Sequence, residues 1–77
     1  MQIIDLFSGI GGFSLAGHWN GWETVQFVEI EPFCQQVLNK NFPGVPIHDD
    51  IKTFDLEQLK KSNWNPSASS IVCGGFP

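Results

Sequence analysis

The chain has 77 residues, no arginine and a net charge of −4, and these properties exclude several classes of protein. Its hydrophobic content of 42%, with seven Phe and three Trp, excludes a disordered chain. The acidic charge argues against a stand-alone nucleic-acid binder, because affinity for DNA comes largely from Lys and Arg on phosphates. The start lacks the basic residues of a signal peptide, and no apolar run reaches the ~18 residues of a membrane span. We therefore expect a cytoplasmic protein with no membrane partner.

The first half of the chain alternates strand and helix. Residues 2–6 are typical of a short apolar strand, and a Gly-rich turn follows at residues 9–12. Apolar residues then recur at helical spacing to residue 19, and Asn20-Gly21 predicts the helix end. Residues 24–30 are β-branched and aromatic, which predicts a second buried strand. Pro32 opens a second helix that ends at residues 41–43.

The second half continues the same alternation. Residues 45–47 predict a third strand at a sheet edge, because Pro46 cannot donate a ladder hydrogen bond. Asp55 and Gln58 resemble a capping box at the start of a short helix. Residues 63–67 predict a loop and residues 69–73 a fourth strand. This order predicts an α/β fold with parallel strands and helices on both faces of the sheet.

The polar and glycine-rich segments all follow strand ends. In parallel sheets ligands bind beyond the carboxyl ends of the strands. Residues 7–12, Glu29, Asp50 and residues 74–77 each come at or directly after a predicted strand. We therefore expect these dispersed segments to converge on one rim and to form a binding site there.

The residue types suggest roles at this rim and leave alternatives open. Glycines at positions 9, 11 and 12 let the backbone approach a ligand, or they simply make the turn. A dinucleotide fingerprint would need a third glycine at the position of Ser14. Glu29 can accept both ribose hydroxyls of a nucleoside, or it is an exposed carboxylate at a strand end.

The remaining candidates also have two interpretations each. Asp50 can accept a hydrogen bond from an adenine amine, but Asp49 is a rival and turn chemistry explains both. Phe7 can stack on adenine or pack in the core. His18 and His48 lack metal partners at useful spacing, so we expect no metal site.

Four segments carry the most specific signal of the sequence: Asp5-Leu6-Phe7-x-Gly9-x-Gly11-Gly12, Val28-Glu29-x-Glu31, Asp50-Ile51 and Gly74-Gly75-Phe76-Pro77. In order and spacing they resemble the first four motifs of a known family, the DNA cytosine-5 methyltransferases of restriction-modification systems. The resemblance spans essentially the whole chain. The resemblance implies a Rossmann-like class I methyltransferase half-domain, with sheet order 3-2-1-4, that binds S-adenosylmethionine in a bacterial or phage protein.

The resemblance also implies a role for each matching position. Glu29 would hold the ribose hydroxyls and Asp50 the adenine amine. The residues implied to contact the adenine ring are Phe7, Ile30 and Ile51. The turn implied to surround the methionine part is Ser8, Gly9, Ile10, Gly11 and Gly12. Pro77 is implied to be the last cofactor contact and to stand directly before the catalytic cysteine.

The family reaction needs a thiolate that adds to C6 of a flipped cytosine, so that C5 accepts the methyl group. The nucleophile is expected directly after Pro77, so we expect no catalytic residue within the chain. Cys73 lies inside the fourth strand, where an inert thiol is expected, and Cys34 lies on a helix away from the rim. Residues 1–77 are thus expected to be the incomplete, inactive N-terminal part of a methyltransferase, with DNA a partner of the parent enzyme alone.

Two alternatives and one consequence remain from the sequence. The chain can instead be a non-catalytic module for cofactor binding or association. A nicotinamide-dependent oxidoreductase fragment is disfavoured by Ser14 and by the Gly-Gly-Phe-Pro segment. The fourth strand is expected at an unpaired edge beside uncovered helix faces, so we expect truncation-induced self-association.

Overall fold

The computed structural model describes residues 1–6 and 9–74, which form one four-stranded sheet with its helices. The strands are β1 (Gln2–Leu6), β2 (Glu23–Val28), β3 (Ile47–His48) and β4 (Ser70–Gly74). All neighbouring pairs are parallel and the order is β3-β2-β1-β4. Both the predicted α/β class and the predicted strand order are confirmed.

Helices make the crossovers between these strands. The helices are α1 (Gly12–Trp19), α2 (Pro32–Asn41), α3 (Leu56–Lys60) and a short 3-10 helix (Ile51–Thr53). Pro32 is the first residue of α2, where its missing N–H removes no helical hydrogen bond. Asp55 caps α3, since its carboxylate accepts the Gln58 N–H at 3.1 Å. The 3-10 helix is a feature that the sequence did not predict.

The sheet is covered on both faces. On the α3 face, Ile4, Val25 and Leu59 form a buried cluster. Partly buried apolar residues pack around this cluster: Leu6, Phe54 and Trp64. On the opposite face, Phe27 of β2 meets Phe42 at the end of α2, with ring centroids 5.2 Å apart. Helices therefore lie on both sides of the sheet, as a parallel sheet requires.

A β-bulge in β2 allows that strand to serve both faces. Between Thr24 and Gln26, β2 advances two residues while β1 advances one, so Val25 is the extra residue. A bulge interrupts the alternation of side chains along a strand. Val25 consequently packs under α3 while Phe27 packs under α2, and both are at most 2% exposed.

The helix α1 contacts the sheet through small residues, not through its apolar ones. Ser14 and Gly17 are its buried residues. A Cβ atom at Gly17 would overlap Cδ1 of Ile3, which shows how closely the helix lies on β1. The large apolar residues that predicted the helix are instead 44–77% exposed: Phe13, Leu15 and Trp19. The helix itself was predicted correctly, but its buried face was not.

Strand limits also differ from the prediction, and β4 begins and ends one residue later than predicted. β3 begins at Ile47 because the N–H of Val45 closes a turn with the carbonyl of Phe42 at 3.3 Å. Pro46 contributes only its carbonyl, which accepts the Phe27 N–H at 3.0 Å. β2 ends at Val28, two residues before the predicted end at residue 30. The Glu29 carbonyl does not continue the ladder, because it accepts a hydrogen bond from the side-chain amide of Gln35 at 2.6 Å.

Candidate functional site

The carboxyl ends of three strands lie side by side at one edge of the sheet. Leu6 at the end of β1 pairs with Val28 at the end of β2, and Val28 pairs with His48 at the end of β3. The turn after β1, Glu29 after β2 and Asp50 after β3 therefore meet on the predicted rim. This arrangement is a consequence of parallel pairing, since every crossover returns the chain to the opposite edge.

Glu29 is a buried carboxylate held by the backbone on both of its oxygens. Glu29 is 8% exposed to solvent. Oε1 accepts the N–H of Gly9 at 2.6 Å, and Oε2 accepts the N–H of Glu31 at 2.8 Å. The alternative of a freely exposed strand-end carboxylate is therefore wrong. A carboxylate oxygen has two acceptor positions, so each oxygen keeps one for a further donor.

The glycine turn is shaped both by its dihedral angles and by the helix beside it. Gly9 and Gly11 have φ angles of 56° and 86°, which favour glycine. A Cβ atom at Gly11 would lie 2.8 Å from the side chain of Leu38 and 2.9 Å from that of Phe42. Leu38 lies within α2, and Phe42 caps its C-terminal end. Packing thus explains Gly11, whereas the Gly9 N–H joins the turn directly to Glu29.

Asp50 and Asp49 have different surroundings, which separates the two rivals. Oδ1 of Asp50 accepts the N–H of Lys52 at 2.9 Å and caps the 3-10 helix. This bond fixes the carboxylate and leaves Oδ2 for another donor. Asp49 is exposed and lines a groove of about 550 Å³ beside α2. The other residues of this groove are Pro32, Gln35, Gln36, Asn39, Ile47 and His48.

Three further candidates lie at the same rim. Ile30 directly follows Glu29 and is 70% exposed. Ile51 is half-buried at the start of the 3-10 helix, beside the cap of Asp50. Ile10 is 62% exposed within the glycine turn. The structure thus offers apolar surface next to the two acidic residues.

A polar cluster that the sequence did not suggest lies below the glycine turn. Asp5 is 4% exposed. Its Oδ2 accepts the hydroxyl of Ser14 at 2.8 Å, and its Oδ1 accepts the thiol of Cys73 at 3.4 Å. Two features of the sequence could have indicated this cluster. Asp5 is a charged residue in an otherwise apolar strand, and Ser14 stands where a dinucleotide fingerprint has a glycine.

Burial changes the proton affinity of both acidic groups in this cluster. Burial raises the pKa of the Asp5 carboxyl, the hydrogen bonds from Ser14 and Cys73 lower it, and the charge of Glu29 raises it further. Burial, followed by the negative charge of Asp5 and the hydrogen bond to it, raises the pKa of Cys73 to about 12. Cys73 is therefore a neutral thiol at neutral pH, which is chemically unreactive.

Comparison with known protein families decides the membership of this chain. The sequence profile of the C-5 cytosine-specific DNA methylases matches residues 1–77, which is the whole chain. The chain belongs to the C-5 cytosine-specific DNA methylase family. The resemblance seen in the four motifs is thereby confirmed.

Bacterial Type II methyltransferases are similar to this methylase chain. It is 44% identical over 77 residues to M2.BsuMI of Bacillus subtilis, which covers all of the chain and 18% of that protein. It is 36% identical over 78 residues to M.AquIA of Picosynechococcus sp., covering 99% of the chain and 32% of that protein. For M.HhaI of Haemophilus parahaemolyticus the identity is 34% over 77 residues, with coverages of 100% and 21%.

The methylase chain therefore spans between 18% and 32% of the length of these three relatives. No solved structure matches it. Among residues 1–6 and 9–74, no helix is long and apolar enough to cross a membrane. Three residues that the motifs assign to the cofactor lie outside the described residues: Phe7, Ser8 and Pro77.

Proposed function

We propose that residues 1–77 form the nucleoside-binding part of an S-adenosylmethionine site in a DNA cytosine-5 methyltransferase. The observation that carries the proposal is the carboxylate of Glu29. Two backbone N–H groups hold it at the sheet rim at 2.6 and 2.8 Å, and each oxygen keeps an acceptor position. One carboxylate held in this way matches the two neighbouring hydroxyls of a ribose.

The other described residues fit the remainder of the nucleoside. Oδ2 of Asp50 would accept the exocyclic amine of adenine, while Oδ1 remains bonded to Lys52. Ile30 and Ile51 would supply apolar contact to the ring. The backbone from Gly9 to Gly12 would pass around the methionine part, and Phe7, Ser8 and Pro77 are assigned by their motifs alone. When bound, the cofactor supplies the methyl group.

The charge of the rim favours S-adenosylmethionine over a dinucleotide. The cofactor carries a positive sulfonium, whereas a dinucleotide carries a negative pyrophosphate that needs N–H donors and cations. Acidic residues predominate at or below the rim: Asp5, Glu29, Glu31, Asp49 and Asp50. Ser14 stands where the dinucleotide fingerprint has its third glycine, and it is fully buried against Asp5. Both observations argue against the oxidoreductase alternative.

Residues 1–77 contribute binding and not the nucleophile in this proposal. A pKa of about 12 leaves Cys73 protonated at neutral pH, and its thiol donates to Asp5. Methyl transfer to C5 of cytosine and contact with DNA are proposed for the whole protein, since the chain covers 18% of M2.BsuMI and 32% of M.AquIA. The chain alone is expected to transfer no methyl group to duplex DNA.

Titration calorimetry with a pair of neighbouring substitutions tests the proposal. Asp50→Asn keeps the helix cap, because the side-chain oxygen of Asn can accept the Lys52 N–H as Oδ1 of Asp50 does. The second oxygen is replaced by an NH2 group, which is a donor and cannot accept a hydrogen bond from the adenine amine. We expect it to weaken binding of S-adenosylmethionine about tenfold, the value of a lost hydrogen bond. Asp49→Asn makes the same chemical change one residue away and should leave binding unchanged.

A second pair of variants addresses the ribose contact. Glu29→Ala removes two charge-assisted hydrogen bonds, which are together worth roughly 1.5–3 kcal/mol of binding free energy. Glu31→Gln removes a neighbouring charge without touching the carboxylate and serves as the control. Equal affinity of wild type and Glu29→Ala would contradict the assignment. Tighter binding of NAD than of S-adenosylmethionine would favour the oxidoreductase alternative instead.

A further inference from the structure

We infer that Asp5 is a positioning residue that joins the cofactor-binding turn to the carboxyl end of β4. This inference rests on the proposed function, because it concerns how that site is held in shape. Asp5 itself is not assigned to the cofactor. It acts through Ser14 on one side and through Cys73 on the other.

The two donors come from different elements and occupy different oxygens. Ser14 lies in the first turn of α1 and donates to Oδ2 at 2.8 Å. Cys73 lies near the end of β4 and donates to Oδ1 at 3.4 Å. Because one planar carboxylate accepts both, a shift of α1 relative to β4 strains at least one bond. Asp5 therefore fixes the distance between these two elements.

A continuous set of contacts carries this constraint to the cofactor site. The first turn of α1 begins at Gly11, whose carbonyl accepts the Leu15 N–H at 2.9 Å. Two residues earlier, the N–H of Gly9 binds Glu29. A displacement of Ser14 would move the start of α1 and with it the donor that orients Glu29. The path from β4 to Glu29 thus passes through Asp5.

A purely structural role explains the cluster poorly. Asp5 is 4% exposed, and burial of a carboxylate is unfavourable compared with burial of an uncharged side chain. The rise in its pKa has the same cause. Groups that reduce stability in this way are concentrated at functional sites. Positioning of the turn is a role that accounts for the retained charge.

The decisive experiment compares cofactor affinity with thermal stability in the same variants. Asp5→Asn keeps the volume but loses the charge and one acceptor, so both donor bonds weaken. We expect S-adenosylmethionine to bind about tenfold more weakly, while the melting temperature stays equal or rises. Loss of a structural contact alone would lower both quantities together.

Charge-neutral variants separate geometry from electrostatic attraction to the cofactor. Cys73→Ala removes the donor and should weaken binding severalfold, whereas Cys73→Ser keeps a donor and should retain wild-type affinity. Asp55→Asn, an exposed cap on the other face of the sheet, controls for removal of an aspartate charge. Equal affinities of Cys73→Ala and Cys73→Ser, or an unchanged affinity in Asp5→Asn, would overturn the inference.

A readout without cofactor distinguishes this inference from the proposed function. Hydrogen exchange of the Leu15 amide reports on the first turn of α1. Cys73→Ala should accelerate its exchange severalfold relative to Cys73→Ser, although Cys73 lies on another element. If wild type fails to bind S-adenosylmethionine but this coupling is found, the proposed function fails and the positioning role stands. If the amide exchanges equally in both variants, the positioning role is wrong.

Discussion

Asp5 and Glu29 are buried carboxylates at the ends of adjacent strands, and they differ in what surrounds them. Glu29 accepts two backbone N–H groups. The partners of Asp5 include the hydroxyl of Ser14 and the thiol of Cys73. Burial is the largest influence on the Asp5 carboxyl and raises its pKa. The ionised form of Asp5 should therefore lower the free energy of unfolding by a measurable amount.

The pH dependence of stability tests this difference. The pKa of Asp5 in the folded chain lies above its ordinary value of 3.8, so the folded state binds the proton more tightly than the unfolded state. The contribution of Asp5 to the free energy of unfolding is therefore full below pH 3.8 and is lost as pH rises through the raised pKa. Asp5→Asn removes the titration, so its stability advantage over wild type should appear across that interval and persist at pH 7.

Urea unfolding of both proteins at pH 3.5 and pH 7 measures the effect, since the other carboxylates titrate in both and cancel in the difference. An advantage of Asp5→Asn that shrinks with rising pH would contradict the prediction. Asp55→Asn should show no such gain, because Asp55 is exposed and caps α3.

Alkylation of Cys73 gives a separate test at the same residue pair. Burial and the charge of Asp5 raise the pKa of Cys73 to about 12, so little thiolate is present at pH 8. Asp5→Asn removes the charge, which should lower this pKa and speed the reaction of Cys73 with iodoacetamide. Cys34 on α2 serves as the internal reference and should react at the same rate in both proteins. An unchanged rate at Cys73 would show that Asp5 does not control its pKa.

At the scale of elements, residues that typically start or end helices predicted most of the element boundaries. Gly21 and Pro32 mark where α1 has ended and where α2 begins, and Asp55 marks the start of α3. The strand order followed from the family resemblance. The buried face of α1 could not be predicted, because an apolar side chain normally indicates the inner face. Here Gly17 brings the helix too close to β1 for large side chains to fit between them.

The candidate site was predictable to the extent that its residues follow strand ends. The positions of Glu29 and Asp50 at the rim were predicted in this way, although their backbone partners were not. The cluster around Asp5 was missed, because Ser14 lies 9 positions away and Cys73 lies 68 positions away. Its contacts depend on the pairing of β4 with β1 in one particular register, in which Asp5 is opposite Cys73. No local pattern specifies that register.

The close approach of α1 to β1 makes a prediction about Gly17. Alanine normally stabilises a helix by about 1 kcal/mol relative to glycine. At Gly17 the added Cβ would overlap Ile3, which is fully buried, and would lie 3.3 Å from Trp22. Overpacking of this kind costs roughly 1–3 kcal/mol, so we expect Gly17→Ala to lower the free energy of unfolding. Gly12→Ala, which has open space around its Cβ, is the control and should be neutral or stabilising.

Urea denaturation followed by circular dichroism measures both glycine variants. A Gly17→Ala protein as stable as Gly12→Ala would mean that Ile3 can move aside without loss, and that α1 is less tightly packed than the structure indicates.

At the scale of the whole molecule, several large apolar side chains remain uncovered. Large hydrophobic residues that are 44–77% exposed include Phe13, Leu15, Trp19 and Phe33. On β4, Val72 is 61% exposed. Within residues 1–6 and 9–74, β4 pairs with β1 and no strand occupies its other edge. Exposed apolar side chains and an unpaired strand edge both favour association between molecules.

We therefore expect the 77-residue chain to self-associate, in the simplest case as a two-fold pair. Sedimentation velocity at high micromolar concentration should show a dimer. Val72→Lys should dissociate it if the β4 edges meet, and Trp19→Lys should do so if the α1 faces meet. A wild-type chain that sediments as a monomer, with protected amides at Ile71 and Val72, would refute the expectation.

The opposite edge of the sheet leads to a different conclusion. β3 is two residues long, whereas β4 has five residues. A very short edge strand offers few backbone groups to a further strand. The two edges of the sheet are thus unlike: among the described strands, β4 offers a five-residue unpaired edge to a further strand, whereas β3 offers two residues. An added strand is therefore expected beside β4 more readily than beside β3.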